Sequence, residues 1–304
     1  MKKPDAVIAA VPSLDVGTAV GNYCSKNQIP FIIDIQDLWP EAFKLVLKIP
    51  VVSDLVFLPM TIQANRFYGQ ADRMVAVSET YIKRGLKSNR NDKNGLCVYL
   101  GTDLGNFDES SKNISIEKPE GELWITYVGT LGHSYNIEII FDALNQLPDE
   151  LGQNVVFHIL GDGPYLERFR EYAKNCKIRS VFHGRGDYPT MAARLCKSET
   201  AVYPIVKGAA QSIINKHADY AAAGLPVVNT QECQEYRELI ESYGCGINCD
   251  VESVEQVTKA LQTLIENPEK RASMGMSSRR MAEERFDRRT TYQQIIRVIE
   301  ELAK

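Results

Sequence analysis

Apolar and polar residues follow two rhythms along this chain. Short apolar runs recur at 6–11, 30–35, 74–77 and 97–100, then at 123–128, 155–160, 181–183, 201–205, 226–228 and 246–248. Between most of them lie longer stretches whose apolar residues fall three and four apart. Strands buried on both faces, alternating with amphipathic helices, are the pattern of βαβ units, so the chain reads as α/β with parallel sheets. The stretch 103–122, DLGNFDESSKNISIEKPEGE, has no sustained apolar period and is the expected domain boundary. Six strand runs follow it and four precede it. The expectation is two Rossmann-like doubly wound domains, 1–104 and 105–287, with 288–304 as a closing amphipathic helix. The first domain reads as incomplete, because such a fold usually opens with a strand and a glycine-rich turn that would precede residue 1; the other reading is a small domain complete as written.

Composition narrows the function classes. With 44% hydrophobic and 24% charged residues the chain is ordinary globular material. A net charge of −4 argues against nucleic acid as the partner, since that polyanion is bound largely by Lys and Arg. The seven cysteines form no CxxC pair, so they read as reduced and structural. Met1-Lys2-Lys3 is not followed by a long enough apolar stretch for a secretion signal. The apolar segment 45–60 is broken by Lys48, Pro50, Asp54 and Pro59 and is too short to span a membrane. A cytoplasmic protein is expected.

Two glycine turns stand where strands end. Gly129-Thr130-Leu131-Gly132 follows the run 123–128 and precedes a helix expected near Asn136; Gly161-Asp162-Gly163-Pro164 follows 155–160. Glycine permits close approach of a ligand to the backbone, and a helix start offers unpaired N–H groups and partial positive charge, a combination that suits a phosphate. Each is equally readable as plain turn chemistry.

The most specific stretch is Gln211-Ser212-Ile213-Ile214-Asn215-Lys216-His217-Ala218-Asp219-Tyr220-Ala221-Ala222-Ala223-Gly224-Leu225-Pro226-Val227-Val228. It resembles the signature of the family-4 retaining glycosyltransferases of the two-Rossmann-domain GT-B type, Asn/Ser-Lys-x-x-Glu-Tyr-x-Ala-x-Gly-x-Pro-Val-Val. Asp37-Leu38-Trp39-Pro40-Glu41 is similar to that family's Asp-Leu-Trp-Pro-Glu element. Ala71-Asp72-Arg73-Met74-Val75-Ala76-Val77-Ser78 resembles its Ala-Asp strand ending in Ser, and Gly101-Thr102-Asp103 with Phe107 resembles the approach to its interdomain linker. The Trp-Pro-Glu element suggests transferases of bacterial surface-polysaccharide assembly.

The resemblance implies a nucleotide diphosphate sugar as donor, UDP- or GDP-linked, and a saccharide or polyprenyl-linked acceptor. It implies no separate cofactor, and the absence of any Asp-x-Asp pair leads to an expectation of metal-independent transfer. Donor-site candidates are Gly129, Thr130, Leu131, Gly132, Gly161, Asp162, Gly163, Arg185, Gln211, Ser212, Ile213, Ile214, Asn215, Lys216 and Asp219. Lys216 is the cation expected to stabilise charge growing on the departing diphosphate, and Asp219 takes the place of a ribose-binding Glu. Asp37 either orients an acceptor hydroxyl or caps the helix near Pro40, and 45–60 either meets a lipid-linked acceptor at the inner membrane face or is ordinary core. His217 is expected to pack rather than act as a base. Departures matter: Gln211 replaces the first Glu of the family's Glu pair, Asp219 is shorter than the second, and His133-Ser134-Tyr135-Asn136 lacks the basic residue often found after the first donor loop. By the resemblance, the family's opening strand and acceptor-side loop have no counterpart before Asp5. The alternatives are therefore a non-catalytic fragment that binds nucleotide sugar without turnover and needs a second chain to supply the first-domain elements, and a sugar-nucleotide epimerase of the same fold.

Overall fold

The structure, a computed structural model, describes residues 3–44, 50–209 and 213–303. The chain divides into two compact units, Met1–Leu100 with Arg288–Lys304, and Gly101–Asp287. All ten apolar runs form strands, nine within about two residues of the expected limits; the run 97–100 gives only the short strand Leu96–Cys97.

In the first unit, β1 (Val7–Val11), β2 (Phe31–Ile35), β3 (Arg73–Ala76) and β4 (Leu96–Cys97) pair in parallel in sequence order. One face packs under the helices Leu14–Asn27 and Leu58–Tyr68 through Val11, Phe31, Ile33, Ile35, Phe67 and Met74. The other face, Ile32, Val75 and Val98, is covered by Ile295, Val298, Ile299 and Leu302 of the helix Gln293–Leu302. That helix carries apolar residues three and four apart, as its sequence requires. Asp72 fixes the strand starts, its carboxylate accepting the Phe31 N–H at 2.8 Å. Ser78 caps the helix Glu79–Leu86 by accepting the Tyr81 N–H. β1 has only β2 beside it among the described residues, so VIAAV, a run typical of an interior strand, forms an edge and leaves Ile8 44% exposed.

In the second unit, β5 (Leu123–Val128), β6 (Val155–Leu160), β7 (Arg179–Gly184), β8 (Thr200–Tyr203), β9 (Val227–Asn229) and β10 (Gly246–Asn248) form a parallel sheet in the order β10-β9-β8-β5-β6-β7. Successive strands run outward to β7, then return to β8 on the other side of β5. This is the doubly wound order, and its reversal lies between β5 and β8. β5 and β6 are buried because helices lie on both faces; Tyr127, Ile140, Phe141, Phe157, Leu261 and Leu264 share one core.

The stretch 103–122 departs from the expected linker. Asp103 accepts the Asn106 N–H at 2.9 Å and starts a helix, Leu104–Asn113, whose Leu104 and Phe107 are buried. Asp108 on that helix is held by Arg279 through two bonds, 2.7 and 2.8 Å, while the same guanidinium donates to Ala222 O. Two apolar residues one turn apart suffice to seat a short helix, but they leave no repeating period to read.

Candidate functional site

In a doubly wound sheet, ligands settle outside the carboxyl ends of the strands where the strand order reverses. Here β5 and β8 pair only through Ile125↔Thr200 and Thr126↔Ala201, then separate. The gap is closed by Tyr220 of the helix Asn215–Ala222: its hydroxyl accepts the Val128 N–H at 2.8 Å and lies 3.3 Å from Val128 O. An otherwise orphaned strand amide is satisfied, and the helix is pinned over the crevice. One turn earlier on the same helix, Lys216 is carried to Gly129.

The two glycine turns are locked to each other. Gly129 N–H donates to Leu160 O, Leu131 N–H to Asp162 O, Tyr165 N–H to Leu131 O and Gly161 N–H to Gly184 O, all at 2.9 Å. Gly129 and Gly161 have φ of 147° and 145°. A Cβ at 161 would collide with Gly129 O, one at 163 with Leu131 O and one at 129 with the Lys216 Nζ. At Gly161 glycine is demanded by both conformation and space, at Gly129 chiefly by conformation and at Gly163 by space. At Gly132 a Cβ would make only ordinary contact with Thr130 Cγ2, 3.6 Å away, so the chain itself does not require glycine there.

Lys216 is the unusual residue. Its Nζ is buried and has no hydrogen-bond partner among the described residues. It lies 4.0 Å from the ring centre of Tyr135, 5.0 Å from Tyr127 and 5.3 Å from Tyr203. Burial lowers its pKa from 10.5 to about 7. The Tyr127 hydroxyl donates to Thr130 O at 2.8 Å, holding the first turn against that ring. The segment 132–136 is tied to the strand-end segment after β8 by Asn136 N–H to Pro204 O and Val206 N–H to Ser134 O, and this brings Tyr135 over the ammonium.

Other sequence candidates take different places. Leu131 is fully buried in the core, with both backbone polar groups used inside the protein, so it fastens the turns instead of facing a ligand. Asn136 accepts the Ile139 N–H and closes the start of the helix Ile137–Asn145, and the helix Leu166–Ala173 begins two residues beyond Pro164; neither helix opens directly from its glycine turn. The N–H groups of Thr130, Gly132 and Asp162 have no partner among the described residues and are the amides left to meet an anion. Ile213 is buried, Ile214 donates its N–H to His217 Nδ1 at 2.9 Å, and Asn215 is exposed at the helix start. His217 is fully buried against Tyr203 and Tyr236, which suppresses its protonation. Asp219 accepts from the Tyr188 hydroxyl at 3.1 Å, and that hydroxyl is 2.7 Å from Thr102 Oγ1. Arg185 is exposed beyond β7. Gln211 and Ser212 lie outside the described residues, as do 45–49.

In the first unit, Asp37 follows β2 and accepts the N–H of Leu38 at 2.8 Å. Nearby Glu41 pairs with Arg84. Within the apolar segment, Leu55, Val56 and Leu58 are exposed, as is Ile62 just beyond it, so these are not core residues.

A family model, glycosyl transferases group 1, matches residues 108–281, more than half the chain. The chain belongs to this family. Over 237 residues it is 24% identical to an uncharacterized glycosyltransferase of Methanocaldococcus jannaschii, MJ1069, covering 77% of this chain and 60% of that protein. It is 20% identical over 305 residues to WcaI of Escherichia coli K12, a protein whose name assigns it to glycosyl transfer in colanic acid biosynthesis, covering 97% of this chain and 73% of WcaI. The chain thus spans about three-fifths of the length of MJ1069. Among solved structures, Anabaena HepE in complex with UDP superposes with a TM-score of 0.75 at 18% identity, covering 97% of this chain and 78% of HepE; its complex with UDP-glucose gives 0.71. At that identity the likeness is one of fold, and it establishes the GT-B-type pair of Rossmann-like sheets for this chain.

The three tyrosines, Tyr188 and Tyr220 escaped the sequence reading. Tyrosine at the carboxyl end of a buried strand, as at Tyr127 and Tyr203, was the available signal, because a hydroxyl there must find a partner near the crevice.

Proposed function

We propose that this glycosyltransferase-family chain binds a nucleotide diphosphate sugar and transfers the sugar to a saccharide or lipid-linked acceptor with retention and without a metal ion. The carrying observation is the buried Lys216 Nζ, lacking a hydrogen-bond partner among the described residues and lying against Gly129 where the strand order reverses. A buried ammonium without a hydrogen-bonded counter-group is costly, and such a group in a ligand crevice is characteristic of a site whose partner arrives with the substrate. A diphosphate supplies that partner. As the bond from sugar to phosphate stretches, charge grows on the diphosphate, and Lys216 with the Thr130, Gly132 and Asp162 amides stabilises it more in the transition state than in the ground state.

Retention follows in this reading from a front-face route in which the departing phosphate oxygen takes the acceptor proton, so no protein nucleophile is invoked. Metal independence rests on Lys216 as a cation beside Gly129 and on a sequence without Asp-x-Asp. Asp219, steadied by Tyr188, is assigned the ribose hydroxyls. Asp37 is assigned the acceptor hydroxyl, and the exposed Leu55, Val56, Leu58 and Ile62 the apolar part of a polyprenyl-linked acceptor or the membrane surface that carries it. UDP is the first donor base to test, because HepE was solved with UDP and UDP-glucose. The polysaccharide setting is suggested by WcaI.

Calorimetric titration with UDP and GDP, with and without EDTA, tests the reading. Micromolar binding of one of them, unchanged by EDTA, is expected; no binding of either by folded protein refutes it. Anomeric configuration of a transferred product, followed by NMR from UDP-glucose, tests retention.

A further inference from the structure

The lysine that carries the proposed function is held in place by aromatic faces. Tyr127 comes from β5, Tyr203 from β8 and Tyr135 from the segment 132–136, so three separate pieces of chain converge on one ammonium. The rings also fix each other: Tyr135 meets Tyr127 edge to face with centres 5.7 Å apart, and Tyr203 likewise at 6.5 Å. The sequence offers no basic residue after the first glycine turn, where His133-Ser134-Tyr135-Asn136 stands. Tyr135 occupies that stretch and is the ring nearest the charge. A ring face attracts a cation without neutralising it, so the ammonium stays available to an anion.

We propose that Tyr127, Tyr135 and Tyr203 form a cage that positions the Lys216 ammonium beside Gly129 before the donor arrives, with Tyr135 the principal positioning residue, and that donor diphosphate draws the ammonium out of this cage. The inference deepens the proposed function and rests on it for the identity of the anion. Among the described residues, the groups facing Lys216 are the three phenols and the Gly129 backbone, with His217 adjacent on its own helix and uncharged. Burial is the cause of the depressed Lys216 pKa, and no carboxylate opposes it among the described residues. Removing a ring while keeping the site dry therefore disfavours the charged form further, whereas an arriving diphosphate favours it.

The test is NMR titration of ¹³C-lysine-labelled protein, following the Lys216 Cε signal assigned by its loss in Lys216→Met. In the free protein that signal should titrate near pH 7. Tyr135→Phe, which keeps the ring, should leave the midpoint in place, and Tyr135→Leu should lower it by about one pH unit. Saturating UDP should raise the wild-type midpoint by about two pH units or more, and Tyr135→Leu should weaken UDP binding roughly tenfold, with Tyr135→Phe near wild type. Thermal melts of each variant establish that it is folded. A folded Tyr135→Leu protein with an unchanged midpoint overturns the cage. A midpoint that answers to Tyr135→Leu but not to UDP or GDP upholds the cage and overturns the diphosphate reading instead.

Discussion

The two parallel sheets use the same kind of strand to different ends. In the first, order along the chain and order in space coincide, β1 to β4, and no reversal occurs among the described residues. In the second, the order reverses between β5 and β8, the strand ends splay, and the helix Asn215–Ala222 is pinned across the gap by the Tyr220 hydroxyl. Apolar content does not distinguish them: VIAAV of β1 lies on an edge, whereas LWITYV of β5 lies at the centre. What differs is the pair of turns after β5 and β6. They bring two positive-φ glycines and three amides without partners among the described residues together with a buried lysine.

Changes in the second sheet should therefore alter nucleotide binding far more than changes in the first. The largest effect is expected for Gly161→Val, where a side chain meets both φ of 145° and Gly129 O. Denaturant unfolding should show a loss of about 3 kcal/mol or more, with nucleotide binding abolished. Lys216→Met should separate function from stability. Diphosphate affinity should fall by about 1.5–3 kcal/mol in calorimetry, while the free protein melts higher by about 1 kcal/mol of stability because an ammonium without a hydrogen-bonded partner leaves the interior.

The second sheet also carries a pH signature. His158 Nδ1 on β6 lies 2.8 Å from His183 Nε2 on β7, with the Trp124 ring tilted against His158 at 4.2 Å. Burial, followed by the His183 ring, pushes the His158 pKa down from 6.5 to about 3; burial, followed by Arg194, pushes His183 to about 4. The neutral rings are favoured in the fold, so their contribution is full above pH 6.5 and is lost as pH falls from there toward 4 and then 3. Excluding each proton makes stability fall with pH in that window, less so at the partly exposed His183, where solvent screens the effect. Melting curves between pH 7 and pH 4.5 should fall steeply for the wild type and less for His158→Phe.

Tyr220→Phe should cost about 1–3 kcal/mol, because the half-buried Val128 N–H loses its acceptor. It should also weaken UDP binding by loosening Lys216. The smallest effect is expected in the first sheet: Asp37→Asn should change nucleotide affinity by less than about 0.5 kcal/mol while lowering transfer to acceptor. Nucleotide affinity lost equally in Asp37→Asn and Lys216→Met would erase the contrast between the sheets.

Strands were legible because both rhythms are local: β5, β6 and β10 fall at the limits the apolar runs set. The glycine turns and Lys216 were legible because residue type and spacing carry their chemistry. The helix Leu104–Asn113 was not, since only Leu104 and Phe107 need to be buried to seat it. Leu131 reads as one more turn residue in sequence, yet it is the apolar plug between two turns. Tyr135, Tyr203 and the Tyr188 contact to Asp219 depend on which strands end side by side, and that is settled only when the sheet is assembled.

The most direct test of the account is a crystal structure of this protein with UDP. The account predicts a diphosphate oxygen at hydrogen-bonding distance, about 2.7–2.9 Å, from Lys216 Nζ, with others meeting the amides of Thr130, Gly132 or Asp162. A diphosphate bound elsewhere, with Lys216 still enclosed by Tyr127, Tyr135 and Tyr203, would contradict it.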